Sequence, residues 1–378
     1  MRIDVVDPSA YTPPYDHALC AALARAGASV RLQTSHFPYA PVPAPEGYER
    51  CERFYRRFGG GAGSRRRFAA KTLQHGPDML RYGHGAARAA DVVHFQWLTI
   101  QQLDVRLLPG SRPLVLTAHD VLPREPRRGQ LKAQRKLYER VDAVVAHSAH
   151  GRQRLLDELG VTPDKVTVIP HGAFEHLTQV PNERPLPAEL AAIGGPVVLF
   201  FGLLRPYKGV DVLLDAWRQL GPDPGAELWI VGRARMDTSE LRAESPPSVR
   251  WIERFVHDDE VAAYFRRADL AVLPYRKAEQ SGVLFTALAF GTPLLVSAVG
   301  GFPEIAEDGA AALVAPADAR GLAEELRRLL ADPGERQRLG AAGRVAAAGA
   351  YSWDAIAERH LALYESLVGR GEAGEFAP

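Results

Sequence analysis

Arg205 and Lys208 stand three residues apart in FFGLLRPYKGVDVLLDA (200–216), between an apolar run ending at Gly202 and a helical pattern that begins after Gly209. Two cations at the carboxyl end of a strand suit a diphosphate, because each offers charge-assisted hydrogen bonds to phosphate oxygens. A second stretch, LPYRKAEQSGVLFTALAFGTPLLVS (273–297), runs through Glu279, Gln280 and Ser281 into a helical pattern opening at Gly282 and Val283. The free amides and positive dipole end of a helix start suit a phosphate, and Gly282 would let it approach the backbone. A third, VGGFPEIAEDGAAALVAP (299–316), sets glycines beyond another strand. Taken singly, each has a plain structural reading: KG opens a helix, SG sits in a loop and GG makes a turn.

Histidines also fall at strand ends, His119 in TAHD (117–120) and His171 in VIPHG (168–172), where they equally serve to satisfy backbone groups. Asp120 either orients His119 or caps a helix, and His147 with Ser148 has no triad context and is read as structural. In AYTPPYDHA (10–18), Tyr15, Asp16 and His17 lie where the first strand joins the first helix, a position from which they could approach a bound ligand. No spaced His/Cys/Asp cluster appears, so no metal is expected.

The elements that must position these residues alternate as short apolar runs and helical patterns, the signature of parallel α/β architecture. IDVVD (3–7), SVRLQTS, DVVHFQ (91–96), PLVLTAHD (113–120), DAVVAHS (142–148) and KVTVIPHG (165–172) are expected strands; HALCAALARAG (17–27) is an expected helix. After a Pro-rich stretch from Val180 to Pro196, read as a linker, strands resume with PVVLFFG (196–202), AELWIVG (226–232), SVRWIERF (248–255), DLAVLPY (269–275) and TPLLVSA. The simplest account is two doubly wound units, 1–175 and 176–354, with substrates at the strand carboxyl ends. The final amphipathic helix, about 355–378, can pack on either unit, including back on the first, and this leaves the domain boundary open at that end.

At 378 residues the chain has room for about two domains. Hydrophobic residues at 46% and charged residues at 24% exclude collagenous, low-complexity and disordered classes. Two cysteines, Cys20 and Cys51, fit a reducing compartment better than a disulfide framework. The start shows no secretory signal and no window reaches the roughly 18 apolar residues of a spanning helix, so a cytoplasmic protein is expected, with any membrane contact peripheral at the inner face. Net charge is +1, yet the chain up to residue 175 holds 25 basic and 17 acidic residues, and the rest 21 and 28. The halves therefore carry +8 and −7. Residues 50–71 hold eight basic residues against one acid, with Phe54, Tyr55, Phe58 and Phe68 interleaved. That mixture fits an anionic membrane or an anionic acceptor, or else a solvated basic loop. Nucleic acid is not expected, since no binding signature accompanies it.

The joint order of these motifs resembles the group 1 (family 4) retaining glycosyltransferases of GT-B fold, in the subset with RPYKG and QSG loops. The likeness spans most of the chain and is strongest over 196–316, with Gly202, Arg205, Lys208 and Gly209, then the 278–293 loop and helix, then Gly300, Gly301, Pro303 and Glu304. It implies an α/β protein of two Rossmann-like doubly wound domains facing an interdomain cleft. It implies a sugar moved from a nucleoside-diphosphate sugar to a glycan, lipid-linked or small-molecule acceptor in polysaccharide or glycoconjugate synthesis, with no cofactor besides that donor substrate. The reaction would be a front-face substitution in which Arg205 and Lys208 stabilise the departing diphosphate and His119 touches the donor sugar. Gly202, Gly209, Glu279, Gln280, Ser281, Gly282 and Val283 would line the donor site; Tyr15, Asp16, His17 and His171 would lie on the acceptor side or in the cleft. The chain departs from the family pattern at Leu203, where an arginine is usual, and at Ala278 and Thr286, where a pair of glutamates is usual. A nucleotide-sugar epimerase would need acid and base carboxylates that these departures remove, and a non-catalytic partner of a transferase would not need Arg205 and Lys208.

Overall fold

A computed structural model describes residues 1–38, 41–56, 65–122 and 129–375, without the side chains of 65–70 and 371–375. The chain divides into two compact units, 1–170 with 353–378, and 171–352.

In the first unit seven parallel strands, β1 (Arg2–Asp7), β2 (Ser29–Ser35), β3 (Glu49–Phe54), β4 (Val92–Phe95), β5 (Leu114–Thr117), β6 (Ala143–Ala146) and β7 (Val166–Val168), lie in the order β3-β2-β1-β4-β5-β6-β7. Strands buried on both faces read as continuous apolar runs, and β4, β5 and β6 are buried at every residue. The strand order reverses between β1 and β4, which makes the loops after those two strands the crevice where ligands bind in open α/β sheets. The first helix is Pro13–Arg25, longer at its start than the apolar pattern alone suggests, because proline is tolerated in a first helical turn. The last helix, Trp353–Glu375, packs on it, with Trp353 against Tyr15 at 5.0 Å and Arg25 paired to Asp354 at 2.6 Å.

The basic stretch at 50–71 is not one continuous loop. Its first residues form edge strand β3, in which Cys51 and Phe54 point inward, and Phe54 and Tyr55 are buried in the core. Two of the four aromatics are thus core residues and cannot lie on a membrane; residues 57–64, and the side chains of Phe68 and Arg65 to Arg67, lie outside the described residues. Among the described residues no helix is long and apolar enough to cross a membrane. Cys20 and Cys51 are buried free thiols.

The second unit holds six parallel strands, β8 (Val197–Phe201), β9 (Glu227–Val231), β10 (Val249–Ile252), β11 (Leu270–Leu273), β12 (Leu294–Ser297) and β13 (Ala311–Val314), in the order β10-β9-β8-β11-β12-β13. The reversal here falls between β8 and β11. The Pro-rich stretch read as a linker belongs to this unit: Leu190 is buried, and Arg184 pairs with Asp259 at 2.7 Å.

Candidate functional site

The loops after β8 and β11 meet at the second unit's reversal point, and these are the loops that hold Arg205, Lys208 and Ser281. Gly202 follows β8 with φ +108°, and a Cβ built there would lie 3.1 Å from both Lys208 Nζ and Val283 Cγ2. The ammonium and the first turn of the helix Gly282–Phe290 therefore converge beside a residue that has no side chain. Lys208 is only 7% exposed, and its Nζ sits 4.9 Å from the centroid of the Tyr275 ring. Among the described residues it forms no ion pair, although a buried ammonium is ordinarily paired. Ser281, at the N-cap, does not bond the helix amides; its hydroxyl lies 3.3 Å from Tyr275 Oη, which leaves the opening turn without a side-chain cap. A buried cation and uncapped helix amides around a glycine are groups whose chemistry suits an anion.

Backbone contacts hold the two loops in place. Gly209 has φ +68°, and a Cβ there would stand 2.0 Å from the Pro274 carbonyl, so this glycine is needed for one loop to cross the end of β11. Arg276 grips Asp211 through two bonds of 2.7 and 2.5 Å while its amide donates to Tyr207 O at 2.8 Å. That ion pair holds the Asp211 carboxyl below its usual range, chiefly through the Arg276 hydrogen bonds. On the other side Gly301 N donates to Glu279 O at 3.1 Å, which ties the Glu279–Gln280 backbone to the turn after β12.

Other expected residues fall differently. Arg205 is exposed. A Cβ on Gly282 would come 3.2 Å from the Phe174 ring, a tight contact that the ring would have to relieve by a small shift. At the two places where the family has glutamates, Ala278 backs the Gly300 turn and Thr286 bonds Gly282 O within the helix at 2.9 Å. His171 belongs to the second unit and stacks on Phe285 at 4.6 Å.

In the first unit His119 lies beyond β5, stacked on Trp97 with ring centroids 4.8 Å apart. Its Nδ1 lies 3.1 Å from His147 Nε2, and its Nε2 lies 3.1 Å from Gln96 Oε1. Burial pushes the His147 pKa down to about 4, so that ring is neutral. His147 Nδ1 donates to Ile169 O at 3.0 Å, which leaves Nε2 only as an acceptor and fixes His119 Nδ1 as the donor. His147, read from sequence as structural, is thus the residue that orients His119.

Tyr15, Asp16 and His17 are not in the strand-to-helix loop but inside the helix Pro13–Arg25, all buried. Tyr15 packs edge-on against His119 at 4.8 Å. Asp16 abuts Asp7, and burial with that like charge raises its pKa. His17 turns to Tyr48, 3.0 Å away. The loop itself presents Tyr11 and Thr12: Tyr11 is 55% exposed, lies 5.4 Å from Trp97, and Trp97 Nε1 donates to Thr12 Oγ1 at 2.9 Å.

Two doubly wound parallel units of this kind are the GT-B fold, and comparison with known proteins bears it out. HepE of Anabaena, solved in complex with UDP-glucose, matches with a TM-score of 0.69 at 18% identity, over 97% of this chain and 100% of that one. Family models for glycosyl transferases group 1 and glycosyltransferase family 4 match residues 195–332 and 15–173. An MMP alpha-(1->4)-mannosyltransferase of Mycolicibacterium hassiacum is 31% identical over 64% of this chain, a match that spans 58% of that protein. A D-inositol 3-phosphate glycosyltransferase of Segniliparus rotundus is 30% identical over 78% of this chain and 70% of that protein. The chain belongs to the group 1, family 4 glycosyltransferases.

Proposed function

We propose that this protein transfers a sugar, with retention of anomeric configuration, from a nucleoside-diphosphate sugar to a hydroxyl-bearing acceptor. The observation that carries the proposal is the buried Lys208 ammonium, without an ion-pair partner among the described residues, converging with an uncapped helix start beside Gly202. The UDP-glucose complex of HepE, on the same fold, supports a nucleotide-sugar donor here. Lys208 binds the diphosphate and neutralises the charge that develops as it leaves, Arg205 reaches it as well, and the amides of Gly282 and Val283 add two donors. In the first unit His119, oriented by His147, is the group we assign to the transferred sugar. The work of the protein is positioning and electrostatic stabilisation, which fits a front-face substitution with no carboxylate nucleophile.

The relatives' names direct the choice of acceptors for a test, beginning with D-inositol 3-phosphate. UDP-, GDP- and ADP-linked glucose and mannose are each incubated with that acceptor and a panel of sugar phosphates, and nucleotide release and product anomers are followed by proton NMR. Release of nucleoside diphosphate with an α-configured product from an α-donor is expected. Inversion, or no release with any donor, contradicts the proposal.

A further inference from the structure

One buried side chain joins all three glycine-bearing segments of the second unit. Tyr275 lies two residues beyond β11 and is 1% exposed. From the segment after β8, Lys208 Nζ stands 4.9 Å from its ring centroid and the Tyr207 ring meets it edge-on at 6.2 Å. From the segment after β12, Phe302 sets its ring 5.6 Å away. A phenol so enclosed ordinarily finds a partner for its hydroxyl. Here the partner is Ser281, the N-cap of the helix Gly282–Phe290, with Oγ 3.3 Å from Tyr275 Oη.

That partnership diverts Ser281 from the task its position suits. A serine at an N-cap gives its oxygen to an amide of the first turn, as Ser148 does in this same chain: with φ −158° and ψ 158°, it accepts from Gly151 N at 2.9 Å. Ser281 has a comparable extended backbone, φ −144° and ψ 121°, yet its side chain caps nothing. Its carbonyl takes the Leu284 amide at 3.0 Å, and the Gly282 and Val283 amides before it bond no side chain among the described residues. They open beside Gly202, where Lys208 and Val283 converge.

We propose that Tyr275 is a positioning residue for the donor diphosphate. Its hydroxyl holds the Ser281 side chain off the helix start, so that the Gly282 and Val283 amides stay open to a phosphate, while its ring carries the Lys208 ammonium. A released Ser281 oxygen would compete with phosphate, because a cap acceptor and a phosphate oxygen seek the same amides. The face of the ring attracts the ammonium without neutralising it, whereas a carboxylate in that place would form an ion pair and cancel the charge a phosphate needs. The inference rests on the proposed donor site for the role of the open amides, and on the geometry of the second unit alone for the hold on Ser281.

Tyr275→Phe in the full-length protein isolates the hydroxyl, since it keeps a ring beneath Lys208 and the packing on Phe302. Without nucleotide, hydrogen exchange at the Val283 amide, followed by NMR, should slow about threefold or more in Tyr275→Phe, because Ser281 is released to cap the helix. The UDP Kd, from calorimetry, should rise about fivefold or more in the same variant. Uridine, which has no phosphate, should bind wild type and Tyr275→Phe alike in saturation-transfer NMR. Introduced into Ser281→Ala protein, Tyr275→Phe should change neither the exchange rate nor the UDP Kd of that variant any further. Unchanged Val283 exchange in Tyr275→Phe, unchanged UDP affinity, or an equal loss of UDP and uridine binding overturns the proposal. Slowed exchange in Tyr275→Phe beside a wild type that binds none of UDP, GDP and ADP would instead overturn the donor-site reading and leave the hold of Tyr275 on Ser281 standing.

Discussion

His119 and His147, 28 residues apart in the chain, meet at 3.1 Å because each follows the end of one of two neighbouring strands, β5 and β6. Parallel pairing of Thr117 with Val145 brings the residues beyond them side by side, and the neutral, buried His147 can only accept. His119 Nδ1 therefore carries a proton toward His147, while its Nε2 faces Gln96 Oε1 at 3.1 Å, an oxygen that only accepts, so that second contact is a hydrogen bond only when Nε2 carries a proton as well.

Removing that acceptor should free the His119 ring without touching the donor unit. His147→Phe is expected to lower kcat about tenfold, the equivalent of one oriented hydrogen bond of roughly 1.4 kcal/mol, and to leave UDP affinity unchanged. Steady-state kinetics beside UDP calorimetry check it. A proportional fall in UDP affinity would show that the two units are not separable in this way.

Gly202→Ala is expected to weaken UDP binding and to lower stability by about 1–2 kcal/mol. The new methyl would sit 3.1 Å from Lys208 Nζ and from Val283 Cγ2, at φ +108°. Thermal unfolding with and without UDP separates the two effects, because the nucleotide-induced rise in Tm should shrink as well as the Tm itself.

Much of the second unit's site is legible in the linear order of residues. Lys208, Gly202 and the Gly282 helix start each belong to a strand, loop and helix that are contiguous in sequence, and the reversal at β8 and β11 then brings them together. The first unit's site is not contiguous. Tyr11 and Trp97 meet only because β1 pairs with β4, and His119 and His147 only because β5 pairs with β6, so their partnership depends on strand order. The apolar pattern puts Tyr15, Asp16 and His17 in a loop, whereas the two prolines that suggest a loop are first-turn residues of the helix. Tyr275 carries no motif, yet it holds Lys208 and Ser281 from beneath.

Asp211→Asn should cost less than about 1 kcal/mol in stability, since the Arg276 pair is partly exposed and screened. It should nevertheless raise the UDP Kd several-fold, because Arg276 joins the loop after β11 to the turn that holds Lys208. Urea midpoints and calorimetry measure the two sides of this prediction.

Burial lowers the pKa of His147 and of His360 to about 4, and that of His94 well below its usual value. Between pH 6.5 and 4 the unfolded chain binds protons that the folded chain refuses, so each group removes stability as pH falls. For His360 the loss is on the order of 3 kcal/mol, complete near pH 4. Asp4, Asp7 and Asp16, raised by burial, act in the opposite sense, since the folded state takes up their protons first. The comparison of wild type with His360→Phe isolates one imidazole. Denaturant midpoints from pH 7.5 to 4.5 should fall less steeply in the variant, and parallel curves would contradict the assignment.

The most direct test of the account is the affinity of Lys208→Ala for UDP, measured by calorimetry on protein whose folding is confirmed by its unfolding transition. Loss of a charge-assisted contact worth roughly 1.5–3 kcal/mol should raise the Kd at least tenfold. A folded Lys208→Ala protein that binds UDP as tightly as the wild type would show that the buried ammonium beside Gly202 is not where the diphosphate sits.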